Sequence, residues 1–268
     1  MLLSLNIAQH TNRRIISIKG ANMESRTKNT KRNMVSGIVK QVVSMVLPFL
    51  IRTIVIYRLG TTYQGLTGLF SSILQVLNLT ELGFSTGVMY ILYKPIAEND
   101  TESICSIINY LKKVYTIVGT IILTAGMLIM PFLPRLISGY IPEDINIYLL
   151  FLLYLLNTVI SYLLFAYKSV LLNAMQREDI VSNISTVTTV FTRVVQIVLL
   201  LLFNNYYIYA LVIPIGTIIN NILLQFYSSK LFPQIIPQGS IIKSSKKELS
   251  KQVKAIFIGR LGDVSRNA

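Results

Sequence analysis

The sequence predicts an all-α polytopic membrane protein, and three observations lead there. Of 268 residues, 53% are hydrophobic and only 13% charged, whereas a soluble domain carries ~25% charged residues. The mean hydropathy is +0.59. The apolar residues also come in long blocks, and roughly 20 of them in a helix cross about 30 Å of hydrocarbon. Disorder and a soluble enzyme core are excluded by the same figures. Lysine plus arginine number 25 against 11 aspartates and glutamates, which in a soluble chain would point to nucleic acid. Here the cations flank apolar blocks, so they set topology and no nucleic-acid partner is expected.

Residues 1–22 hold Arg13 and Arg14 and no apolar core of signal-peptide length. Lys19-Gly20-Ala21-Asn22 can be encoded by a purine-rich stretch resembling a bacterial ribosome-binding site. Residues 1–22 are therefore expected to be a leader-derived or disordered extension, with Met23 as the true start. Residues 23–251 read as a six-helix membrane lobe with a cytoplasmic tail. Its spans are expected at 35–57, 64–92, 113–137, 146–168, 181–203 and 206–228. Pro233, Pro237 and Gly239 mark a loop after the sixth. Residues 252–268 read as the truncated start of a seventh membrane helix.

Basic residues are retained on the cytoplasmic side. Counted from Met23 with these spans, one side receives fifteen lysines and arginines, among them Arg32, Lys94, Lys112, Arg177 and Lys230, while the other receives only Arg58 and Arg135. The N-terminus and the segment after the sixth span are thus expected in the cytoplasm. Tryptophan is absent, so Tyr93, Tyr140, Tyr148, Tyr206, Tyr207 and Tyr227, near block ends, are expected to form the interfacial aromatic belt. Gly119 and Gly126 on the third span are expected to serve close helix packing, and Gly87 to ease a bend.

The chemistry-bearing residues are few. Cys105 is the single cysteine and His10 the single histidine, so no disulfide, metal-ligand cluster or nucleophile-base set can be assembled. No catalytic residue, metal site or cofactor is expected. What stands out instead is polar residues recurring at helical spacing inside the spans. The first carries Gly37, Gln41, Ser44, Pro48 and Arg52; the second Gln64, Gly68, Ser71, Gln75, Asn78, Glu81 and Ser85. The fifth carries Ser182, Ser185, Thr189, Arg193 and Gln196, and the sixth Pro214, Thr217, Asn221, Gln225 and Ser228. Small and hydroxylated residues serve helix packing. A deep ionisable group is different, because it costs roughly 2.5–3.5 kcal/mol on insertion scales. Lys40, Arg52 and Arg193 outnumber Glu81, whose expected partner is Lys40. A water-accessible cavity with surplus positive charge suits an anion, and phosphate or pyrophosphate is the natural guest of an arginine fork.

The stretch from Ile51 to Asp100 resembles the polysaccharide-export flippases of the Wzx type. The resemblance rests on Arg52, Leu59-Gly60, Tyr63, Gly65-Leu66, the run Glu81-Leu82-Gly83-Phe84 and the exit Tyr93-Lys94-Pro95. It implies the fold of the multidrug/oligosaccharidyl-lipid/polysaccharide exporters, with two six-helix lobes around a central cavity, and a place in the bacterial plasma membrane. It also implies movement of an undecaprenyl-pyrophosphate-linked oligosaccharide to the outer leaflet for polysaccharide biosynthesis. On that pattern the chain is an amino-terminal half whose partners are the lipid bilayer, the lipid-linked sugar and a missing carboxy-terminal lobe. The substrate-binding residues are expected to be Arg52, Arg193, Gln75, Asn78, Glu81 and Asn221, the two arginines holding the pyrophosphate. The alternatives are a cation-coupled drug exporter or a peptidoglycan-precursor flippase of the same superfamily, and, further off, a membrane enzyme of envelope synthesis, which would ordinarily need acid-base groups in long external loops.

The asymmetry of basic residues makes one prediction directly. Cysteine reporters at Tyr140 and Asn205 should be labelled by an impermeant reagent from outside the cell, and reporters at Asn99 and Gln238 only after permeabilisation. Labelling of Gln238 in intact cells would contradict the topology.

Overall fold

The computed structural model describes residues 2–78, 84–137, 140–242, 245–253, 255 and 256, with side chains from Thr27 onward. All secondary structure among them is helical. The helices are α1 (Leu2–Leu59), α2 (Thr61–Asn78), α3 (Phe84–Glu98), α4 (Thr101–Ile129), α5 (Leu133–Leu136), α6 (Ile147–Leu163), α7 (Ala166–Ala174), α8 (Glu178–Phe203) and α9 (Tyr206–Leu231). Four stretches are long and apolar enough to cross a membrane: Thr27–Leu59, Thr101–Leu136, Glu178–Phe203 and Tyr206–Leu231. The pair α6 and α7, bent by 46° at a short break, makes a fifth if counted as one broken span. Large apolar side chains such as Met45, Phe49, Phe191, Leu202 and Phe226 stand exposed on this bundle, a surface that lipid covers and water would not. The chain is an all-α, multi-pass membrane protein.

Of the stretch 64–92 the structure describes α2 and α3, and 79–83 lie outside the described residues. α2 has 18 residues, but its polar stripe keeps it out of the set apolar enough to span, and the 15 residues of α3 reach only about 22 Å. The fourth expected span breaks after Leu163. Phe165 takes a left-handed φ of 55° there, a conformation that interrupts a right-handed helix. The third span starts earlier than expected, at Thr101. Asp100 caps it by accepting from the Ser103 N–H at 3.0 Å, and bonds from the Ser103 hydroxyl first and this N–H second favour the carboxylate and hold the Asp100 pKa below its usual value. That cap stabilises the turn above the ordinary aspartate pKa and is lost as pH falls through the depressed one.

In space the long helices line up as α1 on α8, α8 on α9, α9 on α6 and α6 on α4, with α3 and α7 closing the far side. Glycine decides how closely some of them approach. A Cβ on Gly126 would meet Leu155 Cδ1 at 2.4 Å, and one on Gly119 would meet Leu163 Cδ2 at 3.1 Å, so both serve the α4–α6 contact as expected. Gly87 instead admits the helix at 245–253, since its Cβ would meet Val253 Cγ2 at 3.0 Å. That helix buries Leu249, and Ile235 in the preceding loop is buried too, so the segment after α9 packs on the bundle.

The two classes of loop gather at opposite ends. At one end the starts of α2, α6 and α9 meet. Tyr63 donates to both Asp144 carboxylate oxygens at 2.8 Å, and Tyr206 donates to the Tyr63 carbonyl at 3.3 Å and also pairs with Thr67 Oγ1. Asn146 and Asn205 cap α6 and α9 with their side-chain oxygens, and the Tyr207 hydroxyl pairs with the backbone of Asn146. Tyr206 is therefore not part of an interfacial belt: it is 2% exposed and stacks on Tyr209 at 5.3 Å.

At the other end α1 is tied to the start of α8. Asp179, 5% exposed, faces Arg32 Nε at 2.8 Å and Arg177 Nε at 3.2 Å. Asn33 accepts from the Asp179 N–H at 3.0 Å and donates to the Gln176 carbonyl at 3.2 Å. The carboxylate also sits in the first turn of α8, where the helix dipole favours negative charge. Asp179→Asn removes the counter-charge of two arginines at once, so it should destabilise the protein by about 1–3 kcal/mol, with Arg32→Gln costing less because Arg177 remains. Thermal unfolding in detergent, followed by helical circular dichroism, reads this. An unchanged midpoint for Asp179→Asn would show that the contact does not hold α1.

Candidate functional site

The polar stripes of α8 and α9 face each other across a cleft of about 290 Å³. Ser185, Thr188, Thr189, Thr192 and Arg193 line it from α8, and Gly216, Thr217, Asn220 and Asn221 from α9. Gly216 is what lets the helices close on this cleft, because a Cβ there would meet Thr192 Oγ1 at 2.3 Å. Hydrogen bonds fix the walls. Thr188 donates to Asn220 Oδ1 at 3.1 Å, Asn220 Nδ2 to Asn221 Oδ1 at 3.2 Å, and Thr217 to Asn157 Oδ1 of α6 at 2.6 Å. Arg193 Nη1 donates to Gln196 Oε1 at 2.8 Å, and Gln196, wholly buried, donates in turn to the Tyr209 carbonyl at 3.0 Å. Arg193 is thus held in place by its own helix and by α9. Asn221 is 5% exposed, and its Nδ2 has no hydrogen-bond partner.

A second cavity of about 420 Å³ lies at the break between α6 and α7, lined by Asn78, Ser85, Tyr115, Tyr162, Ser169 and Asn173 among others. Ser161, two residues before the end of α6, lines both cavities. Tyr162 donates to Asn78 Oδ1 at 3.2 Å, and Ser85 and Tyr115 pair at 2.6 Å. Irregular backbone is tolerated at membrane depth where it is enclosed by protein or lines a polar cavity, and the α6–α7 break meets that condition.

The structure brings together only part of the expected set. Arg193 and Asn221 share the α8–α9 cleft, and Asn78 lines the neighbouring cavity. Arg52 and Gln75 do neither. Arg52 is exposed on α1, one position round from the buried Ile51 and on the same face as the exposed Gln41, Ser44 and Pro48. Gln75 is exposed on α2 together with Gly68 and Ser71, next to the seam of Leu66, Phe70 and Leu74 that the core takes up. Lys40 is exposed as well, and Glu81, its expected partner, lies outside the described residues. The sequence pattern passed over Asn157 and Ser161, although a polar pair four residues apart on the otherwise apolar α6 is itself a stripe signal. Lys168, the last residue of the expected fourth span, is 3% exposed on α7 with its ammonium 5.7 Å from the Tyr167 ring.

Among the described residues no cluster of three His, Cys, Asp or Glu side chains could hold a metal ion. The chemistry the cleft offers is therefore one guanidinium, side-chain amides and hydroxyl groups. Comparison of the chain with protein-family profiles, with curated proteins and with solved structures found no match.

Proposed function

We propose that the chain is a lobe of a membrane transporter that flips an undecaprenyl-pyrophosphate-linked oligosaccharide to the outer leaflet of the bacterial plasma membrane, with its N-terminus in the cytoplasm. The observation that carries this is the pair of polar faces on α1 and α2. Gln41, Ser44 and Arg52, with Gly68, Ser71 and Gln75, are exposed on the bundle, within segments that lipid would otherwise surround. Polar side chains at that depth face water or another protein, and a water-filled cavity closed by a second helical lobe meets the requirement. Arg52 supplies the positive charge on this face, and a planar fork that grips pyrophosphate bidentately. The resemblance of Ile51–Asp100 to Wzx-type flippases supports the same cargo. A broken membrane helix beside polar cavities is a common device of transporters. A cation-coupled drug exporter would want carboxylates on these faces, and Arg52 weighs against it. No acid-base pair among the described residues favours an enzyme of envelope synthesis.

The test is translocation of a fluorescent undecaprenyl-pyrophosphate oligosaccharide in proteoliposomes, with drug efflux and sugar transfer measured alongside, using the chain alone and co-expressed with a second lobe. Losing a bidentate arginine–phosphate contact costs ~1.5 kcal/mol, about tenfold. Arg52→Glu should therefore lower translocation at least tenfold at matched protein, and Arg52→Lys should retain part of it. Translocation unaffected by Arg52→Glu would refute the cationic face.

A further inference from the structure

We propose that the seam between α8 and α9 holds a file of ordered water that runs from the cleft to the Asp179 end of the bundle, giving the cleft aqueous access through this lobe alone. The inference goes beyond the transporter reading and stands whether or not the chain moves a lipid-linked sugar.

Helix register places the seam. Thr188 donates to Asn220 Oδ1 at 3.1 Å, a Cβ on Gly216 would meet Thr192, and Ile184 and Leu224 share one buried apolar cluster. The two helices are therefore antiparallel, each step of four along α8 matching a step of four back along α9. Continued, that register sets Ile180 level with Ser228, and Ser182 between the levels of Gln225 and Ser228. From Asn220 to Ser228 the seam runs about 12 Å. Ile180 is only the third residue of α8, so the seam reaches the end of the helix.

The stripes that line the cleft continue into this seam. On α8, Ser182 precedes Ser185, Thr189 and Arg193 at steps of three, four and four; on α9, Gln225 and Ser228 follow Thr217 and Asn221 at steps of four, four and three, so each set keeps to one face. Beyond the cleft these residues are enclosed, Ser182 being 1% and Ser228 0% exposed. No charged residue lies between Asp179 and Arg193 on α8, or between Tyr206 and Ser229 on α9. Four buried atoms of the stripes have no hydrogen-bond partner among the described residues: Ser182 Oγ, Asn221 Nδ2, Gln225 Oε1 and Ser228 Oγ. A hydroxyl in a helix ordinarily turns to the carbonyl four residues back, as Thr186 and Thr188 do at 2.8 Å. Ser182 and Ser228 do not.

The chemistry of these atoms selects the occupant. A buried polar atom left unmatched costs ~1–3 kcal/mol, and these four differ in what they need. The Asn221 amide nitrogen only donates, the Gln225 amide oxygen only accepts, and the two hydroxyls do both. A bare cation would call for oxygens alone and an anion for donors alone. Water meets both demands, since a buried water makes two to four hydrogen bonds with donors and acceptors alike. At ~2.8 Å between oxygens, about four waters in file cover the distance.

The experiment uses the whole chain in lipid bilayers with its side-chain amides labelled with ¹⁵N. Solid-state NMR measures how fast magnetisation passes from water protons to each amide. Exposed Gln176 is the wet reference. Gln196 is the dry one, wholly buried and bonded at both ends, to Arg193 and to the Tyr209 carbonyl. Transfer to Gln225 should be at least about fivefold faster than to Gln196 and approach that to Gln176. Ser228→Leu, which fills the seam at its outer level, should slow transfer to Gln225 at least about threefold, whereas Ser228→Ala, which leaves the space open, should not. Helicity is checked by circular dichroism. Transfer to Gln225 as slow as to Gln196 in the wild-type chain overturns the proposal, and this comparison decides by itself if Ser228→Leu fails to fold. Transfer to Gln225 that stays fast in folded Ser228→Leu shows that water enters from the cleft alone, and overturns the passage to the Asp179 end.

Discussion

Within a bilayer every polar group has to find another polar group, and the arrangement of this protein follows from that constraint. A backbone satisfies it by being helical; side chains satisfy it only by choosing what they face. The stripes on α8 and α9 choose each other. Thr188, Asn220 and Asn221 form one chain of hydrogen bonds, and Arg193, Gln196 and the Tyr209 carbonyl form another. The stripe on α1 does not turn inward, nor does that on α2 except at Asn78, which accepts from Tyr162. Ile51 and Val55 of α1 and Leu66, Phe70 and Leu74 of α2 take the buried positions, and the polar residues one step round each helix stay outside. An arginine at membrane depth costs roughly 2.5–3.5 kcal/mol, and none of the ion pairs formed among the described residues recovers it for Arg52. The recovery has to come from water or from another body.

What keeps the bundle in this arrangement is a set of local contacts that apolar burial alone would not specify. Lipid tails are as apolar as leucine, so close packing and hydrogen bonds carry more of the specificity than they do in water. Gly119, Gly126 and Gly216 set helix separations. Asparagine caps at 146 and 205, cross-linked through Tyr207, fix the starts of α6 and α9 beside the tyrosines of α2. At the other end the Asp179 contacts clamp α1, whose remaining surface is largely exposed. The cleft and the α6–α7 cavity meet at Ser161 between these two fixed ends.

The sequence made the membrane class, the long helices and the packing glycines visible, because each depends on local composition or on 3.6-residue spacing. It placed Arg193 and Asn221 on the polar stripes of two successive spans, and the structure puts them in one cleft. It did not show which way a stripe faces. Gln41 and Ser182 belong to similar patterns, yet one is exposed and the other buried, since the direction depends on the neighbour and not on the helix. Nor did it show that 146–168 is divided, because Phe165 carries no helix-breaking signal and adopts its φ of 55° in the folded chain. Tyr63 and Asp144, 81 residues apart, were equally out of reach of a local pattern.

On the proposed reading the polar faces of α1 and α2 line water at membrane depth. Single cysteines at Gln41, Ser44, Gly68, Ser71 and Gln75, compared with Met45, Val46 and Phe49, in a Cys105→Ser background and native membranes, probe this. A small, charged, membrane-impermeant thiol reagent should modify the first group at least tenfold faster than the second, with helical periodicity along α1. Equal protection of both groups would place the stripes against lipid or in a dry interface and contradict the account.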